Sequence, residues 1–250
     1  MSDGSAVEQP PEWGRQARWR VRFGWGPMGL RSVMAEHVAI VDVLRFSTAV
    51  DAAVAQGAFV FPYRWRDEAA ARFAASVHAA LADGSDPAGP SLSPLRLSAL
   101  CPGDRVVLPS PNGSECAALG HELGATSVVA ACLRNARAVA KWLDHQPGSV
   151  AVIACGERWP DGSLRPALED HLGAGALVSA LAGPRSPEAE AAATLWAGLV
   201  PAVERLVRSS ASGQELEARG WSDDLGYACQ VNASSCVPVL RGGAFTNISS

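Results

Sequence analysis

Three short apolar runs, each broken by a polar loop and then followed by a helix-forming stretch, limit what this chain can become. They lie in HVAIVDVL (37–44), DRVVLPSPNG (104–113) and SVAVIACGE (149–157). Runs of this length, rich in β-branched residues, read as strands buried on both faces. FSTAVDAAVAQGA (46–58), SECAALGHELGA (114–125) and ALEDHLGAGALVSALAG (167–183) read as the helices that follow. Ser47 and Ser114 each open a helix, and each lies ten residues before a Gly-Ala pair, an internal echo of one strand–loop–helix–strand unit. Buried strands alternating with helices predict a three-layer α/β/α fold with a largely parallel or mixed sheet.

Further strands are expected in RWRVRFGW (18–25), FVFPY (59–63, ended by Pro62) and TSVVAACL (126–133), and a last strand or extended tail in CVPVLRGGAF (236–245). Further helices are expected over 67–84 and 135–148, over 186–210 with a break at Pro201, and as two short pieces within 210–232. Residues 1–17, polar and containing proline, read as a disordered lead-in rather than a signal peptide, which leaves 18–250 as a single domain.

Composition narrows the partners. The formal net charge of −4 gives no nucleic-acid footprint, and no apolar run approaches the ~20 residues that span a bilayer. The six cysteines include no C-x-x-C pair, which suits reduced, mostly buried thiols in a cytoplasmic protein.

Sheets of this kind bind ligands beyond the carboxyl ends of their strands, and there the polar residues gather. If the three strands are parallel neighbours, Asp42, Arg45, Ser47 and Thr48, then Ser110, Asn112, Gly113 and Ser114, then Glu157 with Glu169 and Asp170 share one crevice. Carboxylates of Asp42, Glu157, Glu169 and Asp170 suit Mg²⁺, a hard cation that takes oxygen ligands. Arg45 offers a fork to phosphate or carboxylate, and Ser47, Thr48 and Ser114 stand where helix N-termini favour an anion. Taken singly, each has a plainer reading: the hydroxyls as helix caps, Asn112-Gly113 as a turn pair, Glu169-Asp170 as a solvated helix face. Known phosphate chemistries are excluded. The single lysine, Lys141, precedes Trp142 rather than completing a P-loop, Leu44 breaks an Asp-x-Asp motif, and Asp161 stands where a Cys-x5-Arg loop needs arginine.

VDVLRFSTAV, SPNGSECA, CGE followed by LEDHLGAGA, and the closing DDLGYACQVNASSCVPVLRGGAF resemble, in order and spacing over about residues 18–247, the 2-phosphosulfolactate phosphatase family. LSPLRL (92–97) resembles a worn Asn-Ser-Pro segment of that family, and Arg158 and Trp159 stand where smaller residues are expected. The resemblance implies a Mg²⁺-dependent phosphatase that converts 2-phosphosulfolactate to sulfolactate and phosphate, a step in coenzyme M biosynthesis. It implies Asp42, Glu169 and Asp170, with Glu157 as a fourth, as metal ligands. Asp42 and Arg45 are the catalytic candidates, and Ser47, Thr48, Ser110, Asn112, Gly113 and Ser114 the candidates for holding phosphate or the small acidic substrate. Action on another phosphorylated 2-hydroxy acid, or ligand binding without turnover, stays open, and a homodimer is a possible assembly.

Overall fold

The computed structural model describes residues 12–65, 67–84 and 89–248. Its strands are β1 (Val21–Trp25), β2 (His37–Val41), β3 (Phe59–Tyr63), β4 (Ala80–Leu81), β5 (Arg105–Pro109), β6 (Ser127–Ala131), β7 (Val150–Ala154), β8 (Glu157–Arg158), β9 (Leu164–Arg165), β10 (Pro238–Arg241) and β11 (Ala244–Asn247). The helices are α1 (Gly26–Val33), α2 (Phe46–Ala55), α3 (Glu68–Ser76), α4 (Pro94–Leu97), α5 (Gly113–Glu122), α6 (Ala136–Asp144), α7 (Leu168–Ala180), α8 (Pro187–Leu199), α9 (Val203–Ser209), α10 (Ala211–Ala218) and α11 (Ser222–Ala228).

Nine strands form one mixed sheet in the order β1-β7-β2-β6-β10-β11-β3-β5-β4, and β8 and β9 pair separately as a short antiparallel ribbon. β1, β7, β2 and β6 are a parallel block; β3, β5 and β4 are another. The β10–β11 hairpin joins them antiparallel on both sides, each time through one residue pair: Val239 opposite Val129, and Phe245 opposite Val60. All five residues of β2 are buried, as a central strand requires. Alternate side chains go to opposite faces. Val38 and Ile40 enter one core with residues of α1, α2 and α5, whereas Ala39 and Val41 enter the other with residues of α6 to α11. This is the three-layer α/β/α arrangement the alternation of strands and helices predicts.

Several expectations are corrected. β2 and β7 are parallel neighbours, but β5 is not beside either. Pro62 lies inside β3 rather than ending it; β3 meets β11 at Val60 alone, so the missing proline N–H interrupts no ladder there. The helix expected over 67–84 stops at Ser76, His78 takes a positive φ of 50°, and β4 follows. The C-terminal segment is a hairpin rather than one strand. α1 and the β8–β9 ribbon carried no signal recognised in the sequence. Of the lead-in, residues 1–11 lie outside the described residues. Glu12–Arg15, expected to be disordered, form a 3₁₀ turn, and the Gln16 side chain bonds both the N–H and the carbonyl of Phe23.

α7 and α8 cross so closely that a Cβ on Gly175 would stand 2.3 Å from the Ala192 carbonyl oxygen. Gly198, in α8, has nothing within 4 Å of its missing Cβ. Gly175→Ala should therefore lower stability by about 1–3 kcal/mol, whereas Gly198→Ala should raise it by roughly 0.5–1 kcal/mol. Urea unfolding of both variants checks this; a shift of the same sign in both would contradict the packing described.

Candidate functional site

The turn after β2 is built around one carboxylate. Asp42 Oδ1 accepts the N–H of Phe46, the first residue of α2, and Oδ2 accepts the N–H of Gly113, the first residue of α5, each at 3.0 Å. One acid thus caps two helices and sits at the positive end of both dipoles. The approach depends on Gly113: a Cβ there would meet the Phe46 ring at 2.2 Å and Asp42 Oδ2 at 2.8 Å. Asp170, in the first turn of α7, does the same for two loops. It accepts from the N–H of Val43 at 2.7 Å and of Gly156 at 2.8 Å. Gly156 holds φ at +67°, a conformation that favours glycine, which lets the chain turn after β7 toward that carboxylate.

Asn112 completes the link between loops, its Nδ2 donating to Glu157 Oε2 at 2.8 Å. The ends of β2, β5 and β7 therefore do meet, although β5 belongs to the other block of the sheet.

The cleft between these loops has a volume of about 370 Å³, and its floor includes Asp42, Arg45, Ser110, Asn112 and Glu157. Five of the sequence candidates thus line one opening. The others do not present their side chains to it. Ser47 Oγ donates to the Ile40 carbonyl at 2.9 Å and accepts the Asp42 N–H; Thr48 Oγ1 donates to Val43; Ser114 Oγ donates to Leu108 at 3.0 Å. All three hydroxyls are fully buried; those of Ser47 and Ser114 tie a helix start to its preceding strand, and that of Thr48 ties it to the turn at Val43. Ser47 and Ser114 do this equivalently, which is what the echo between the two units consists of. Gly113 contributes its N–H to Asp42 rather than to the opening. Glu169 is buried against Ser210 Oγ at 3.2 Å, and Asp170 has both oxygens engaged on the backbone, so neither lines the cleft.

Arg45 is fixed by residues the sequence did not single out. Its Nη1 bonds Asp224 Oδ2 at 2.7 Å, Ser93 Oγ donates to the other Asp224 oxygen at 2.6 Å, and its guanidinium lies 4.8 Å from the Trp221 ring centre. Asp224 is 1 % exposed, so its charge is spent entirely on these partners. Both Ser93 and Asp224 fall in segments whose resemblance was visible, LSPLRL and DDLGYACQVN, but their pairing spans 131 residues of chain and leaves no local trace.

The acids repel. Burial, with a smaller part from the charge of Glu169, pushes the Asp42 carboxyl up to about 6 against the hydrogen bonds from Phe46 and Gly113. Burial first, then the charges of Asp42 and Glu169, push Glu157 up to about 8. Asp170 is raised well above the carboxylate range by burial and by the charges of Asp42 and Glu169. The Cys155 thiol is likewise driven far up, chiefly by burial, which suits a packing residue and not a nucleophile. No group of three or more His, Cys, Asp or Glu side chains among the described residues is arranged as a ready-made metal cage. The donor set nonetheless fits Mg²⁺, which is commonly held by one or two carboxylates with water and substrate phosphate. Asp42 and Glu157 face the cleft, each with unused lone pairs and each raised first by burial and then by a neighbouring acid's charge, both of which a cation would offset.

Residues 29–243 match the model of a family described as 2-phosphosulpholactate phosphatase. A protein of Pseudothermotoga lettingae named probable 2-phosphosulfolactate phosphatase is 30 % identical over 216 residues, 83 % of this chain and 91 % of that one. A protein of the same name from Carboxydothermus hydrogenoformans is 29 % identical over 85 % of this chain and 89 % of its own. The 2-phosphosulfolactate phosphatase of Methanothermobacter thermautotrophicus is 31 % identical over 141 residues, 56 % of this chain and 58 % of that protein. No helix among the described residues is long and apolar enough to cross a membrane.

Because the fold raises the pKa of Glu157, its contribution to stability is present below the ordinary carboxylate range and is lost as pH rises through about 8. In metal-free protein, Glu157→Gln should accordingly raise Tm at pH 9 and leave it nearly unchanged at pH 4. Calorimetry at the two pH values checks this, and an equal shift at both would remove the buried-charge account.

Proposed function

The chain belongs to the 2-phosphosulfolactate phosphatase family, phosphoric monoester hydrolases, and from that premise we propose that it hydrolyses 2-phosphosulfolactate to sulfolactate and phosphate with Mg²⁺. The observation that carries the proposal is the meeting of Asp42, Glu157, Asn112 and Arg45 at one cleft on the carboxyl ends of the strands. The two acids suit a divalent cation, and Arg45 with the Asn112 amide suits the oxygens of a phosphate group held against it.

In this reading Asp42 and Glu157 hold the Mg²⁺. When bound, the ion supplies neutralisation of charge on the phosphoryl group. Asp42 is suited to a ligand's task because its oxygens are already oriented by the Phe46 and Gly113 N–H groups, so no reorganisation is needed on binding. Asn112 keeps Glu157 in place with one amide hydrogen, and its second amide hydrogen is available to a phosphoryl oxygen. Arg45, clamped by Asp224 and stacked on Trp221, presents its remaining N–H donors from a rigid position, which favours in-line geometry over mere attraction. Water attacks phosphorus, the P–O bond to the substrate carbon framework breaks, and the hydroxyl of sulfolactate leaves with a proton.

The direct test is phosphate release from racemic 2-phosphosulfolactate with Mg²⁺ and with EDTA. Release with Mg²⁺ that stops near half conversion, is abolished by EDTA and is restored by excess Mg²⁺ supports a stereospecific metal-dependent phosphatase. Release in EDTA equal to that in Mg²⁺ would discard the metal. Asp42→Asn should lower kcat by roughly 100-fold or more; turnover above a tenth of wild type would remove Asp42 from an essential role.

A further inference from the structure

The same cleft carries positive charge that phosphate binding does not use. Besides the groups at its floor it is lined by Arg64 and Arg219. Arg64 follows the last residue of β3, Tyr63, whose carbonyl accepts the Ser110 N–H at 3.0 Å, so the backbone at Arg64 is tied to the loop that carries Asn112. Arg219 follows the last residue of α10, where its N–H closes on the carbonyls of Glu215 and Leu216. Two arginines from distant parts of the chain thus converge on one small opening.

Their present partners are weak. Arg64 pairs with Glu122 at 2.7 Å and Arg219 with Glu215 at 2.6 Å, and both glutamate side chains are more than half exposed, at 57 % and 51 %. Such exposed pairs contribute little and are readily exchanged for a better anion. Arg45 differs: its partner Asp224 is buried and its stack on Trp221 immobilises it. The cleft is therefore graded by how firmly its arginines are held. Its floor holds carboxylates, one fixed arginine and an amide; its walls add two arginines free to exchange partners. A phosphate monoester with no other charge would leave the wall arginines idle, whereas a substrate with a second acid group would reach them.

We propose that Arg64 and Arg219 form a second anion subsite that binds the non-reacting acid groups of the substrate, so that the enzyme selects small phosphomonoesters bearing at least one further carboxylate or sulfonate. This rests on the reading above, in which the floor of the cleft takes the phosphate. The guanidinium fork matches the oxygen pairs of either group. Glu215, at the same opening, competes with the substrate for Arg219.

The test compares 2-phosphosulfolactate, 2-phospholactate and phenyl phosphate on wild type, Arg64→Met, Arg219→Met and the double variant, with Tm measured for each as a folding control. In the double variant, KM for 2-phosphosulfolactate should rise about tenfold or more with kcat little changed, while kcat/KM for phenyl phosphate moves less than about twofold. A smaller effect on 2-phospholactate would assign the arginines to the sulfonate; an equal one, to the carboxylate. Glu215→Gln should lower KM for 2-phosphosulfolactate. Equal losses on all three substrates, or no loss on any, would overturn the subsite. If wild type cleaves none of them, the reading of the floor fails, and calorimetric titration with unphosphorylated sulfolactate decides the subsite separately. Binding weakened about tenfold in the double variant supports it; unchanged binding overturns it.

Discussion

Two buried carboxylates, each shared between two backbone N–H groups on different segments, hold this structure in its shape. Asp42 joins the starts of α2 and α5, and Asp170 joins the turn after β2 to the turn after β7. Each satisfies N–H groups that would otherwise be buried without a partner. The arrangement also concentrates acids: burial raises Asp42, Asp170 and Glu157 above their ordinary range, and the charge of Glu169 adds to each. The loops are thus held by buried acids, one of which, Asp42, also lines the cleft, so architecture and site share the same atoms.

Much of this was legible in the sequence, because the strand, loop and helix periodicities are local. The alternation of elements gave the layers, and the polar residues at strand ends pointed to Asp42, Arg45, Ser110, Asn112 and Glu157, which line one cleft. What could not be read is what depends on direction and distance. A hydroxyl at a helix start is equally able to face a ligand or the backbone before it; in Ser47, Thr48 and Ser114 the backbone carbonyls win. Glu169 and Asp170 are adjacent to the site in space but turned to Ser210 and to backbone, where helix α7 puts its first turn. Arg64 and Arg219 had no signal at all, since an isolated arginine in a chain with 21 basic residues looks like surface. The order of strands was equally hidden, because the loop after β5 meets Asp42 although β5 and β2 are not neighbours in the sheet.

The turn after β6 repeats the one after β2 with a different outcome. Arg134, one position earlier in its turn than Arg45 is in the other, makes contacts of the same kind: it bonds a buried aspartate, Asp51, at 3.2 Å and lies 3.7 Å from the Tyr227 ring centre. Yet Cys132 stands where Asp42 stands, and Ser234 closes on the second Asp51 oxygen at 2.7 Å. The same backbone device supports an open acidic cleft in one place and a satisfied, closed polar core in the other. The difference lies in whether the first residue after the strand carries a charge that the protein leaves unneutralised.

The β10–β11 hairpin has a consequence for how the molecule is made. It supplies the middle of the sheet, yet Val239 lies 110 residues from Val129, and Phe245 lies 185 residues from Val60. A polypeptide emerging from its N-terminus must therefore keep two half-sheets, each with an unpaired border, apart until residue 247 has been synthesised. Loop closures of that span are entropically slow, and exposed borders invite pairing with other nascent chains. Biogenesis, more than final stability, is where this topology leaves the protein exposed.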